Sequence, residues 1–100
     1  MTDKWADYLI SAVKYNEKKY HIIKVRSHED IGDKVGPSFE ESRKTVVSNL
    51  KKGKTYCTII MKEKWTKGAP IKIVQINGKE FIKTYSNNKE EDNLGELQEL

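Results

Sequence analysis

Apolar and polar residues alternate in short runs over most of the chain, with one stretch at helical spacing. Tyr8-Leu9-Ile10-Ser11-Ala12-Val13-Lys14-Tyr15 and Tyr20-His21-Ile22-Ile23-Lys24-Val25-Arg26 are rich in β-branched and aromatic residues. The polar break Asn16-Glu17-Lys18-Lys19 separates them, so the pair predicts a β-hairpin. A turn at Glu17-Lys18 sets Tyr15 against Tyr20, Val13 against Ile22 and Ala12 against Ile23. Strand periodicity then groups Ile10, Ala12, Ile23 and Val25 as the core face, with Ala12 leaving room for a helix. The opposite face carries Leu9, Ser11, Val13, Tyr15, Tyr20, Ile22, Lys24 and Arg26.

His28 to Gly36 is polar, holds two glycines and predicts a loop. Pro37-Ser38 then opens a helix, with Ser38 and Glu41 spaced as a capping box in which each side chain serves an unpaired backbone N–H. Glu40 and Glu41 suit the positive end of the helix dipole, and Lys51 and Lys52 the negative end. Phe39, Val46, Val47 and Leu50 form its apolar stripe, and Gly53 is the expected stop.

Strands are expected over Lys54 to Lys62, Ile71 to Ile76 and Lys79 to Tyr85. The last two join through Asn77-Gly78, the two-residue pair that best favours a tight hairpin turn. Glu63 to Pro70 reads as a loop that exposes or half-buries Trp65. The expected fold is α+β: an antiparallel sheet, open or curled toward a barrel, with one packed helix in the order β-β-α-β-β-β.

One hundred residues with 36% hydrophobic and 34% charged positions suit a single domain with a modest core. No apolar run approaches the ~20 residues of a membrane span, and the N-terminal residues lack the layout of a secretion signal. The lone Cys57 cannot form an internal disulfide, which suits a reducing cytoplasm. Charge changes the picture more. Residues 1–89 hold all 19 Lys and Arg against 10 of the 15 acids, a net +9, and residues 90–100 carry −5. The reading is a basic domain over 1–89 with an acidic tail over 90–100, either solvated for solubility or docked.

Candidate chemistry is sparse. Cys57 sits mid-strand and only His21 and His28 are available as imidazole bases, so nucleophilic catalysis has no assembled partners and Cys57 is read as a core residue. A zinc site would need about four Cys or His ligands. His28-Glu29-Asp30 is a weak hard-cation cluster, and Gly32 and Gly36 lack the Lys-Ser/Thr step of a phosphate loop. The expectation is a non-enzyme with no metal or cofactor. Lys14, Tyr15, Tyr20, Lys24 and Arg26 on the first hairpin, and Lys62, Lys64, Trp65 and Lys67 after the third strand, interleave cations with rings. Lys72 and Lys83 can pair across the last hairpin. Rings stack on bases and cations pair with phosphates. Because 17 of the 19 basic residues are Lys, which offers point charge without the Arg fork, such binding would be backbone-driven and sequence-tolerant.

Ser38 before the helix, Lys52-Gly53-Lys54 leading into a Tyr-containing strand, Ile82-Lys83-Thr84, and the closing Glu91-Asp92-Asn93-Leu94-Gly95-Glu96-Leu97 resemble a small prokaryotic domain-of-unknown-function family, DUF3892. That family typically closes on Asp-Asn-Leu and a Leu-Pro pair, and here Gln98 stands in the proline's place. The resemblance implies a compact domain with a docked C-terminal segment, in which Leu94 and Leu97 pack and the acids meet bases. It transfers no catalytic residue.

Together these residues predict a small binding module with low-specificity affinity for DNA or RNA backbone and no membrane role. The alternative is a protein-interaction module or homodimer built on the face that carries Leu9, Val13, Ile22, Tyr15 and Tyr20.

Overall fold

The computed structural model describes residues 5–17, 21–32, 35–61, 63–84, 91–94 and 97–100. Its elements run β1 (Tyr8–Tyr15), β2 (Ile22–Asp30), β3 (Val35–Ser42), α1 (Arg43–Lys51), β4 (Tyr56–Met61), β5 (Trp65–Pro70), β6 (Lys72–Ile76), β7 (Lys79–Lys83) and β8 (Gln98–Glu99). The molecule is mostly sheet with one helix, as expected, but the strand order and sheet type differ. The larger sheet is mixed and open, in the order β3-β2-β1-β4-β5, and β6 and β7 form a separate two-stranded sheet. β1 pairs antiparallel with β2 but parallel with β4 through Tyr8–Ile10. Farther along, β8 pairs parallel with β1 at Ala12 and Val13.

Two expected loops are strands. β2 continues through His28 to Asp30, and β5 occupies most of the stretch read as a loop around Trp65. β3 and β5 flank the sheet on its two sides and contain the chain's prolines, Pro37 and Pro70. An edge tolerates proline because one row of its N–H groups has no ladder partner to lose. Such strands are half solvated and so read as polar.

The helix begins at Arg43, not at Ser38. Residues 38 to 42 are extended and pair with β2, from His28↔Ser38 to Lys24↔Ser42. Ser42 is the cap, and its side chain accepts from the Thr45 backbone N–H at 3.2 Å. The Ser38–Glu41 spacing matches a cap locally, yet long-range pairing with β2 claims that backbone. Glu41 instead accepts the Tyr56 hydroxyl at 3.1 Å. The C-terminal end is as expected: Gly53 has φ 93°, its N–H reaches Leu50 O, and Lys54 N–H reaches Asn49 O. That left-handed position after the last turn is one that glycine adopts without strain. The expected hairpin turn is present too, with φ 52° at Asn77 and 78° at Gly78.

The first hairpin has a different register from that expected: Tyr15 faces Ile22, Val13 faces Val25 and Ala12 faces Arg26. Irregularities between Ile10 and Ala12, and between Lys14 and Tyr15, shift the pairing. An extra residue on one strand rotates everything beyond it to the other face. Ile10, Val13, Ile22 and Val25 therefore join one core with Val46, Tyr56, Ile71, Ile82 and Leu94, while Ile23 is half exposed. Ala12 shares a face with Arg26, away from Ile10, so it makes no room for the helix. Leu9, Val13 and Ile22 are all buried, which removes the apolar face offered for a dimer.

The C-terminal segment is part of the fold. Asp92, 2% exposed, accepts from Ile22 N–H at 2.8 Å and Ile82 N–H at 2.9 Å. It also takes the Arg43 guanidinium at 2.7 and 3.1 Å. One carboxylate thus ties β2, β7 and α1, and Leu94 fills the core beside it. No helix among the described residues is long and apolar enough to cross a membrane.

Candidate functional site

The helix and the β6–β7 hairpin cover one face of the large sheet. The other face is concave, with its own small core of Ala6, Leu9, Cys57 and Ile59, flanked by Val35 and Trp65. His28 on β2 and Trp65 on β5 are three strands apart in the sheet order, yet their rings lie 5.5 Å apart. Adjacent strands are about 4.8 Å apart, so only a curled sheet brings these rings together. The curl leaves an open cleft of about 210 Å³ lined by Ser11, Arg26, His28, Ser38, Ile59, Ile60, Trp65, Leu97 and Gln98.

Cross-strand register builds the floor. Gln98, Ala12, Arg26 and Glu40 face one another in a row across β8, β1, β2 and β3. Arg26 and Gln98 both line the cleft, while Ala12 between them in the row is buried. Next to this row, His28 bridges two fixed partners: Nδ1 lies 2.9 Å from the Gly36 carbonyl oxygen and Nε2 lies 2.8 Å from Ser11 Oγ. A carbonyl can only accept, so Nδ1 carries the proton. In the neutral ring, Nε2 then accepts from the Ser11 hydroxyl.

The cations on this face are clustered. Lys14 and Lys24 are opposed across β1 and β2, and Lys24 holds both oxygens of Glu40, at 2.9 and 3.1 Å. That hydrogen bond, then the charges of Lys24, Arg26 and Lys14, keep the exposed Glu40 carboxyl below the usual carboxylate range. Lys67 stands opposite Ile59 on β5, and Lys64 is exposed beside Trp65. Burial pushes the Cys57 thiol up, partly offset by the Lys67 charge, which leaves an unreactive core thiol.

The sequence-derived candidates divide accordingly. The fold brings Lys14, Lys24, Arg26, Trp65 and Lys67 to the concave side. Tyr15 is half-buried, packs against the main core and accepts the Leu94 N–H at 3.4 Å. Tyr20 and Lys62 lie outside the described residues. Lys72 and Lys83 do pair across the last hairpin, but in the separate small sheet. Lys83 is fully buried with its ammonium 5.9 Å from the Phe81 ring centre, so it presents no charge to a ligand. His28 and Asp30 do not converge on a cation: Asp30 accepts the backbone N–H groups of Trp5, Ala6 and Gly32. Among the described residues no cluster of three His, Cys, Asp or Glu side chains could hold a metal.

Sequence reasoning missed Ser11, His28, Ser38, Ile59, Ile60, Leu97 and Gln98 as cleft residues. The signal available was the small pair Ser11-Ala12 inside an apolar strand, which marks a place where other groups approach closely. Comparison with known proteins finds no match among curated sequences and none among solved structures. A family model does match residues 9–98, which span β1 to β8, and its description is a protein of unknown function. With nine-tenths of the chain matched, including Asp92-Asn93-Leu94 with its buried Asp92 and Leu94, this protein belongs to the DUF3892 family.

Proposed function

We propose that this domain is a non-enzymatic binding module that takes single-stranded nucleic acid across its concave face. The observation that carries the reading is the placement of Trp65 and Arg26 in one cleft, with Lys14, Lys24 and Lys67 on the same face. A base stacked on an aromatic ring contributes about 1–3 kcal/mol, whatever its identity. Lysines along the rim add phosphate attraction that releases counterions and so weakens with salt. The closed Ser11–His28–Gly36 chain favours rigidity over turnover, and the raised Cys57 thiol gives no nucleophile. A buried free thiol also suits the reducing cytoplasm proposed as its location.

The competing reading is a protein-interaction or dimerising module. It is favoured by one feature, the edge position of β3 with half-exposed Phe39, alongside half-exposed Ile23 and Ile31 on and just after β2. Anisotropy titration of labelled oligothymidine and oligouridine separates the two. Binding is expected at low salt and should fall steeply as salt rises. Trp65→Ala should weaken it about tenfold, the equivalent of ~1.4 kcal/mol, and Lys44→Ala on the helix should leave it unchanged. A folded protein that binds neither oligomer at low salt, and sediments as a dimer, would establish the second reading instead.

A further inference from the structure

A phosphate track needs only cations, yet the concave cleft also holds polar groups whose donor and acceptor roles are fixed. The Gly36 carbonyl sets the tautomer of the neutral His28 ring, and His28 Nε2 accepts a hydrogen bond from the Ser11 hydroxyl, so Ser11 Oγ has only lone pairs left for the cleft. Arg26 offers only donors, in a planar fork. Its neighbour Glu40 gives both carboxylate oxygens to Lys24, so that acid is committed elsewhere. Arg26 and Gln98, on either side of Ala12 in the row, both line the cleft. Trp65 forms one wall, with Ile59, Ile60 and Leu97 completing the apolar lining.

A complementary ligand is flat, carries two adjacent acceptors for the fork, and has a donor for Ser11. Guanine has this pattern, with O6 and N7 on one edge and N–H groups on another; adenine places a donor beside N7, uracil and thymine separate their carbonyls by an N–H, and cytosine, whose N3 and O2 are adjacent, keeps its only exocyclic donor on the same edge as that pair. The volume of about 210 Å³ lies below the roughly 300–1,000 Å³ of sites for drug-sized ligands, which suits one base. We propose that the cleft is a subsite for a single guanine base, which gives an otherwise sequence-tolerant strand binder a preference at one position. This rests on the reading of the concave face as a nucleic-acid surface.

The test compares a thymidine oligomer with the same oligomer carrying one central guanosine or one central adenosine. In parallel, free guanosine, adenosine and cytidine monophosphates are titrated into Trp5→Phe, in which Trp65 is the sole indole. The guanosine oligomer is expected to bind about tenfold tighter than the adenosine one, and guanosine monophosphate alone should quench Trp65. Arg26→Lys, checked for folding by circular dichroism, should collapse the ratio between guanosine and adenosine oligomers, because it keeps the charge and removes the fork. Equal affinity for all oligomers with an unresponsive Trp65 overturns the guanine subsite and leaves strand binding standing. Quenching by guanosine monophosphate without oligomer binding overturns the strand reading and leaves the subsite. If no probe binds, both are wrong.

Discussion

Asp92 shows what a single residue can do that its local sequence hides. It stands in a −5 run that reads as a tail, either solvated or docked, and its carboxylate is enclosed by two backbone N–H groups and the Arg43 guanidinium. A buried charge of this kind is tolerable only while every partner remains in place. Replacing it with an amide removes the charge from a guanidinium that cannot deprotonate and puts N–H donors where acceptors are required. Asp92→Asn should therefore cost about 3–5 kcal/mol in urea unfolding. A variant that unfolds at the wild-type midpoint would mean that the clasp does not hold the fold together. The partners of Asp92 lie up to 70 positions away, at Ile22, Arg43 and Ile82, so no window of sequence could have revealed the bond. The family resemblance came nearer, because it marked Asp92-Asn93-Leu94 as a docked segment.

At the scale of elements, the features governed by local chemistry were legible. The Gly53 stop and the Asn77-Gly78 turn each depend on a left-handed residue that few side chains tolerate, and both lie where the sequence places them. Features decided by distant pairing were not. β3 satisfies its backbone against β2, which overrides the helix-start spacing of Ser38 and Glu41 and moves the cap to Ser42. Ser42→Ala should then cost about 1 kcal/mol, the usual loss of an N-cap. Ser38→Ala, on an exposed strand position, should stay within about 0.5 kcal/mol. Denaturant melts of the two variants distinguish the assignments, and the reverse ranking would restore the earlier helix start. The irregularity beside Ser11 was equally invisible, and it decides more. It exchanges Val13 and Ala12 between the faces, filling the core on one side and opening the cleft on the other.

For the whole molecule, curvature converts a scattered list of basic and aromatic residues into one surface. Half of the candidate interface was legible as composition, since Lys14, Lys24, Arg26, Trp65 and Lys67 do share the concave side. The other half depends on curl: His28 and Trp65 meet only because the sheet bends across β1 and β4. Charge on the tail is also redistributed by folding. Asp92 serves the clasp against β2, β7 and α1, whereas Glu99 on β8 lines a shallow pocket together with Lys14.

The central claim, that the concave face is the binding surface, is tested most directly by mapping amide and indole resonances by NMR during titration with oligothymidine at low salt. Shifts are expected at Ser11, Arg26, His28, Lys67 and the Trp65 indole, with α1 and the β6–β7 hairpin unmoved. Shifts confined to α1 and β6–β7, or no shifts at saturating oligomer, would contradict the account.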